Sequence, residues 1–356
     1  MSTPATQPII TSSSAPAQPT VVRVGTRKSA LAMKQAEYVV SSLQRLHPSV
    51  RFEIRGMQSL GDIDKVTALY KMGGKGLWTN ELEAGLVARE LDVIVHSLKD
   101  MPTVLPSGCV LACVTPREDP RDVVVVKRSL QAQYKTLADL PAGAVVGTSS
   151  VRRMAQIRRR YPRLAFKDMR GNIDTRLRKL DAEDGEYAVL ILAAAGLLRM
   201  GQGGRIAQYL ESRTEGGGML HAVGQGGLGI EARADDQATL DLLKPLEDEG
   251  AMLACEAERS VMRTLEGGCS IPIGVETTWL DGDDSGKLRL TATVVNVEGT
   301  EAVDGEDVEV IKTREEAIEF GKRVAKQLTD NGAQKILDEI NAEREANPNP
   351  NPWVPA

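Results

Sequence analysis

Two adjacent arginines open a helical pattern in Gly147-Thr-Ser-Ser-Val-Arg-Arg153. Cations in a first helical turn oppose the helix dipole, at a cost of roughly 0.3–1 kcal/mol each. Breaking that preference twice in succession points to an anion held at Arg152 and Arg153. Arg170 and Arg176 flank the start of the next helical pattern, with Asn172 as its expected N-cap. Guanidinium groups grip carboxylates through parallel N–H donors, so the chemistry indicated is recognition of an acid-rich ligand. The later arginines Arg158, Arg159, Arg160 and Arg163 read instead as a solvated basic face, with Met154, Ile157 and Tyr161 buried behind it.

Further polar clusters follow apolar runs: Thr26-Arg27-Lys28-Ser29, His96-Ser-Leu-Lys99-Asp100 and, beyond the pair just named, Asp168-Met-Arg-Gly-Asn172. Taken singly they are weak. Ser29 can cap a helix, Asp100 can serve the turn before Met101-Pro102, and Lys99 can sit on the surface. The cysteines divide into two kinds. Cys109 and Cys113, four apart in an apolar run, are expected as buried free thiols on one strand face, and only three histidines exist to complete a metal site. Cys269, in Leu265-Glu-Gly-Gly-Cys269-Ser270, lies on a glycine-loosened loop, where a thiol can be an ordinary loop residue, a nucleophile or an attachment point. Gly224-Gln-Gly-Gly-Leu-Gly229 matches G-x-G-x-x-G but follows no convincing strand, so a tight interdomain turn is the better reading.

The elements that must position these residues alternate. Apolar runs at 21–25, 51–57, 92–97, 109–115 and 122–126 alternate with helical patterns at 29–46 and 77–89. A second set follows: strands at 145–146, 164–169 and 188–192, helices at 151–160 and 173–180. This alternation predicts α/β layers with mostly parallel sheets, in which ligands sit beyond the carboxyl ends of the strands. Four of the polar clusters fall at such ends. Helices at 235–246 and 251–265 lead to antiparallel strands at 273–279, 287–295 and 308–312, closed by helices at 314–327 and 333–344. A chain of 356 residues implies two or three domains.

A net charge of −5 and few aromatics argue against nucleic acid as a partner. The first twenty residues lack the arginines and apolar core of a targeting peptide, and no apolar run is long enough for a membrane helix. With few, irregularly spaced cysteines, a reducing cytoplasmic setting is expected.

Five segments in register resemble the porphobilinogen deaminase (hydroxymethylbilane synthase) family. They are Gly25-Thr-Arg-Lys-Ser-Ala-Leu-Ala-Met-Lys-Gln35, His96-Ser-Leu-Lys-Asp-Met-Pro102, Gly147-Thr-Ser-Ser-Val-Arg-Arg153, Arg170-Gly-Asn-Ile-Asp-Thr-Arg176 and Leu265-Glu-Gly-Gly-Cys-Ser-Ile-Pro272. The resemblance runs from about 21 to 334. It implies two periplasmic-binding-protein-like (type II) lobes around a cleft, plus a small C-terminal α/β domain with an antiparallel sheet. The implied boundaries are domain 1 at 21–115 plus 220–241, domain 2 at 116–219 and domain 3 at 246–345, while composition marks the Pro/Ser/Thr/Ala-rich 1–20 as a disordered extension and the Pro/Asn-rich 346–356 as a loose tail.

The resemblance also implies a transferase of haem and tetrapyrrole biosynthesis that joins four porphobilinogen molecules head to tail with loss of ammonia. A dipyrromethane cofactor would be held by a thioether at Cys269, which displaces the plain loop reading of that residue. Asp100 matches the catalytic aspartate, whose carboxylate would stabilise the cationic azafulvene left when ammonia departs. Lys99 matches a cofactor-site lysine. Arg27, Arg152, Arg153, Arg170 and Arg176 match arginines that hold acetate and propionate groups, and Ser29, Ser149 and Gln225 match polar partners. The family is usually monomeric. Two departures stand out: Trp78 replaces a usual Phe, and Asn80 a common Lys. A mobile loop at 61–76 is a further family expectation. The competing classes are a two-lobed anion-binding protein without chemistry and, resting on 224–229 alone, an NAD-dependent enzyme.

Overall fold

A computed structural model describes residues 20–58, 79–213, 218–265, 271–280 and 286–346. The expectations for 1–19, the 61–76 loop, Trp78, Cys269 and the 347–356 tail lie outside these residues.

The first lobe is a five-stranded sheet in the order β2-β1-β3-β10-β4, built from β1 (Val21–Arg27), β2 (Arg51–Met57), β3 (Val93–Ser97), β4 (Cys109–Val114) and β10 (Leu228–Arg233). Strands β1, β2 and β3 run parallel, and β10 runs antiparallel to both its neighbours. The second lobe repeats the plan as β7-β6-β8-β5-β9, from β5 (Asp122–Val126), β6 (Val145–Gly147), β7 (Ala165–Lys167), β8 (Tyr187–Ala193) and β9 (Gln208–Leu210). Here β5 is the antiparallel member. The expected parallel character therefore holds with one exception per sheet. In each lobe the exception is the strand that first enters it after a crossing.

Apolar periodicity accounts for the packing. Helix α1 (Ala30–Leu46) turns Ala36, Val39 and Leu43 onto Val22, Val24 and Val95. The short α2 (Asn80–Val87) covers the opposite face with Leu82 and Leu86. In the second lobe, Val123 to Val126 of β5 are wholly buried, alternating between two cores on either side of the sheet. A continuous valine run suits a strand covered on both faces. Helices α3 (Val151–Arg160), α4 (Ile173–Asp181) and α5 (Ala194–Arg199) supply the covers.

After α6 (Gln237–Leu243), the third unit is an antiparallel sheet, β11 (Ile273–Leu280), β12 (Lys287–Val295) and β13 (Ala302–Val310), under α7 (Glu249–Thr264) and α8 (Arg314–Leu328), with α9 (Gln334–Ala346) closing the chain. Strand β13 begins six residues before the expected 308. Asp and Gly at 304–305 carry low strand propensity. Pairing overrides it, through the register from Ala302 opposite Val295 to Val310 opposite Lys287, and through Thr293 donating to Asp304 at 2.6 Å.

A bulge corrects a second expectation. The register between β10 and β4 shifts between Ile230 and Glu231, so that Ala112 is passed over. The slip puts Cys113 in the core with Ile230 and Cys109 on the other face with Leu82 and Ile94. These two cysteines do not share a face.

The chain crosses between lobes at 115–121 and comes back into the first through 218–227. The crossings lie side by side: the Glu118 N–H donates to Gly226 O at 3.2 Å, and Thr115 N–H to Leu228 O at 3.1 Å. Gly226 has φ +90°, and a Cβ there would fall 2.1 Å from the Glu118 carbonyl oxygen. The glycine motif thus leads into the start of β10, and its Gly226 serves this contact. Gly226→Ala is expected to lower stability by at least about 2 kcal/mol, from left-handed strain plus a backbone clash. Urea unfolding checks it, and an unchanged midpoint would refute the account.

Candidate active site

The polar clusters sit where parallel strands end. Arg27 is the last residue of β1, and Ser29 caps α1, accepting from Ala32 N–H at 3.3 Å. Beyond β3 the chain makes a single 3-10 turn, Leu98–Asp100, which carries Lys99 and Asp100. In the second lobe Ser149 follows β6 and donates to Met169 O at 2.5 Å, tying two strand ends together. Arg170 follows β7. Asn172 caps α4 as expected, and Arg176, in its first turn, donates through Nε to Gly171 O at 2.7 Å.

The two sets face one another. Arg27 Nη1 lies 3.9 Å from Asp100 Oδ2, both side chains partly open to solvent. Asp100 ends the 3-10 turn, as the turn reading has it, and its carboxylate also faces a cation. The pair lines a small recess with Thr26, Gln35, His96 and Ser97. Across the cleft, Arg176 feels Arg153, Asp168, Arg170 and the first lobe's Asp100. Burial, together with Arg153, pushes the Arg176 guanidinium down to about 10. Lys99 is pushed down to about 8, by burial first and then by Arg153, against the opposing pull of Asp100 and Asp122. Both side chains still touch solvent, as expected at the floor of a concavity. They remain protonated at neutral pH.

Arg152 and Arg153 are where the sequence reading needs revision. An anion does meet them, and it belongs to the protein. Asp122, at the head of β5 and 1% exposed, takes Arg153 Nε at 2.9 Å and Nη2 at 2.7 Å on one oxygen, with Arg152 Nη1 2.8 Å from the other. Arg152 also donates to Leu220 O at 2.6 Å and Arg153 to Ile191 O at 2.9 Å. Burial opposes ionisation of Asp122, but the two arginines outweigh it and hold the carboxyl well below its usual range. A charged residue opening an otherwise apolar strand was the available sign of this residue, and it was not singled out.

Gln225 joins the lobes. Its Oε1 accepts from Lys99 Nζ at 3.2 Å, while Nε2 donates to Pro120 O at 2.7 Å and Asp122 Oδ1 at 3.1 Å. The later arginines turn away from the cleft. Arg159 pairs with Asp304 of the third unit, Arg163 donates to Ala138 O, and Arg158 to Val297 O. Arg159, Arg160 and Arg163 are exposed, as a solvated face requires, while Arg158 is half-buried against the third unit.

Arg27, Lys99, Arg152, Arg153, Arg170 and Arg176 together outnumber Asp100, Asp122 and Asp168. That imbalance, with the downward pressure on Lys99 and Arg176, fits a group bearing several carboxylates. Thiol chemistry among the described residues does not arise at the other cysteines. Burial raises Cys109 to about 11, and Cys113 and Cys255 to about 12, so all three stay protonated.

Comparison with known proteins agrees. A family model described as "Porphobilinogen deaminase, dipyromethane cofactor binding domain" matches residues 22–241, and one described as "Porphobilinogen deaminase, C-terminal domain" matches 252–330. The porphobilinogen deaminase of Neurospora crassa is 59% identical over 329 residues, 92% of this chain and 96% of that protein. That of Saccharomyces cerevisiae is 47% identical over 331 residues, 92% and 99% respectively. Among solved structures, the periplasmic aliphatic sulphonate binding protein SsuA from Escherichia coli is 14% identical, over 70% of this chain and 71% of that one, with a TM-score of 0.34. That likeness is too slight to add to what the strand orders already establish. With family models over all three sheets and relatives matching nearly end to end, this chain belongs to the porphobilinogen deaminase family.

Proposed function

We propose that this chain is a hydroxymethylbilane synthase working in the cleft between its first two lobes, where cations from both meet beside Asp100. That convergence carries the reading. The reaction joins porphobilinogen units head to tail. In each step an aminomethyl C–N bond breaks, nitrogen leaves as ammonia with the bonding pair, a C–C bond forms, and the attacked ring carbon loses its proton.

Asp100 accepts from the pyrrole N–H of the substrate and offsets the positive charge that grows as the C–N bond breaks. A fixed carboxylate in a recessed site does this without solvent rearrangement. Arg27, Arg170 and Arg176 bind acetate and propionate groups by paired N–H donors, and Lys99 adds a point charge. Arg152 and Arg153 extend that cationic wall, with Ser29, Ser149 and Gln225 as neutral partners. Dipyrromethane, when bound through Cys269, supplies the ring to which the first unit is joined. An acidic protein can hold such a polyanion because its positive charge is gathered here.

No helix among the described residues is long and apolar enough to cross a membrane. The reading carries with it a cytoplasmic monomer that acts on a small molecule and needs neither nucleic acid nor metal. Intact mass under denaturing conditions tests it. Two extra pyrrole units on the Cys269 peptide are expected, and an unmodified thiol in protein that releases ammonia from porphobilinogen would overturn the attachment. Tight anion capture with no ammonia released would favour a binding protein instead.

A further inference from the structure

We propose that Asp122 is a positioning residue for this reaction: its buried carboxylate holds Arg152 and Arg153 in place and, through Gln225, fixes Lys99 beside Asp100. The inference rests on the functional reading above.

Three chain segments meet at this carboxylate, and Gln225 links it to a fourth. Asp122 begins β5, Arg152 and Arg153 open α3, Gln225 sits on the returning crossing, and Lys99 belongs to the first lobe. The Gln225 amide cannot be reversed without loss. Its nitrogen already serves two acceptors, Pro120 O and Asp122 Oδ1, so its oxygen must face Lys99. Only a donor satisfies that oxygen, and the ammonium form of Lys99 supplies one. Asp122 therefore orients Gln225, and Gln225 orients Lys99.

The charge balance works in the same direction. One carboxylate between two guanidiniums leaves a net positive charge that is already ordered, so an incoming carboxylate meets donors that need no rearrangement. The groups facing Lys99 are Asp100 and Asp122, which favour its charged form, and Arg152 and Arg153, which disfavour it, with Arg27 set on Asp100. Neutralising Asp122 would remove one of the two supports. Lys99 would then lose its proton at a lower pH than about 8.

The test uses the holoenzyme and Asp122→Asn, which preserves shape. For the wild type, kcat/KM for porphobilinogen should fall on the alkaline side near pH 8 as Lys99 loses its charge. In Asp122→Asn that limb should move to lower pH, and KM should rise on the order of tenfold. Acylation of Lys99 by a small neutral reagent, located by peptide mass, should quicken at fixed pH, a readout independent of turnover. Should Asp122→Asn fail to fold, Gln225→Met decides. It leaves the Asp122–arginine cluster intact and should move the same limb in the same direction. Variants that lose activity only in proportion to folded protein, with the limb and Lys99 labelling unmoved, would overturn the proposal. If wild-type protein releases no ammonia, the functional reading fails, while the labelling still decides the role of Asp122.

Discussion

Asp100→Ala is expected to reduce turnover of porphobilinogen by about 10²–10³-fold, the usual consequence of removing one preorganised electrostatic stabiliser. Stability should barely change. Asp100 is partly open to solvent, and its approach to Arg27, at 3.9 Å, is long for an ion pair. Exposed pairs of that kind contribute about 0–1 kcal/mol. Chemistry and folding are therefore separable at this position. Asp100→Asn should resemble the alanine variant, because the amide keeps the shape and loses the charge. Ammonia release followed alongside urea unfolding checks both halves, and a near-normal rate would remove Asp100 from its role.

The largest stability effect is expected at Glu258. Its side chain is wholly buried at the junction of all three units. Arg117 from the outgoing crossing donates to it at 2.7 and 2.9 Å, Thr277 of β11 at 2.6 Å, and the Gly224 N–H of the returning crossing at 2.8 Å. Arg117 also donates to Gln225 O at 2.9 Å. Glu258→Gln would leave the Arg117 guanidinium buried without its counter-charge, at a cost of about 3–5 kcal/mol. Equilibrium unfolding reads this directly. A companion variant, Arg117→Met with Glu258→Leu, should recover part of the loss, since the penalty lies in the orphaned charge.

The pH dependence follows from the same pair. Burial opposes ionisation of Glu258, yet Arg117 and the nearby His221 outweigh it, so its folded pKa lies below its unfolded one. Its contribution is complete above the ordinary carboxylate range and is lost as pH falls below it. Glu258→Gln should accordingly flatten the acid side of the stability profile. An acid limb that stays unchanged in this variant would show that other groups govern it.

Much of this was legible in the chain itself. The valine run of β5, the periodicity of α1 and the caps Ser29 and Asn172 are local facts, and the elements form where those signals stand. Arg27, Lys99, Asp100 and Arg176 could be located at strand ends and helix starts, because those positions follow from element boundaries alone. The β4 bulge could not be foreseen, since a slip of one residue depends on what β10 presents from more than a hundred residues away. Nor could the start of β13, where pairing with β12 outweighs weak propensity.

Arg152 and Arg153 show the division most clearly. Two cations in a first turn announce an anion, and that much is local. Which anion it is depends on β5 and β8 lying antiparallel so that Asp122 comes up beneath the helix, a long-range fact. The same holds for Gln225, whose partners Lys99 and Pro120 are drawn together only when two crossings run side by side. Sequence alone determined the element types, the strand-end positions of the cations and the kind of ligand they suit. Tertiary structure decided which charges are already paired inside the protein and which are directed into the cleft, because Coulombic partnership depends on distance in space, and neighbours along the chain carry no record of it.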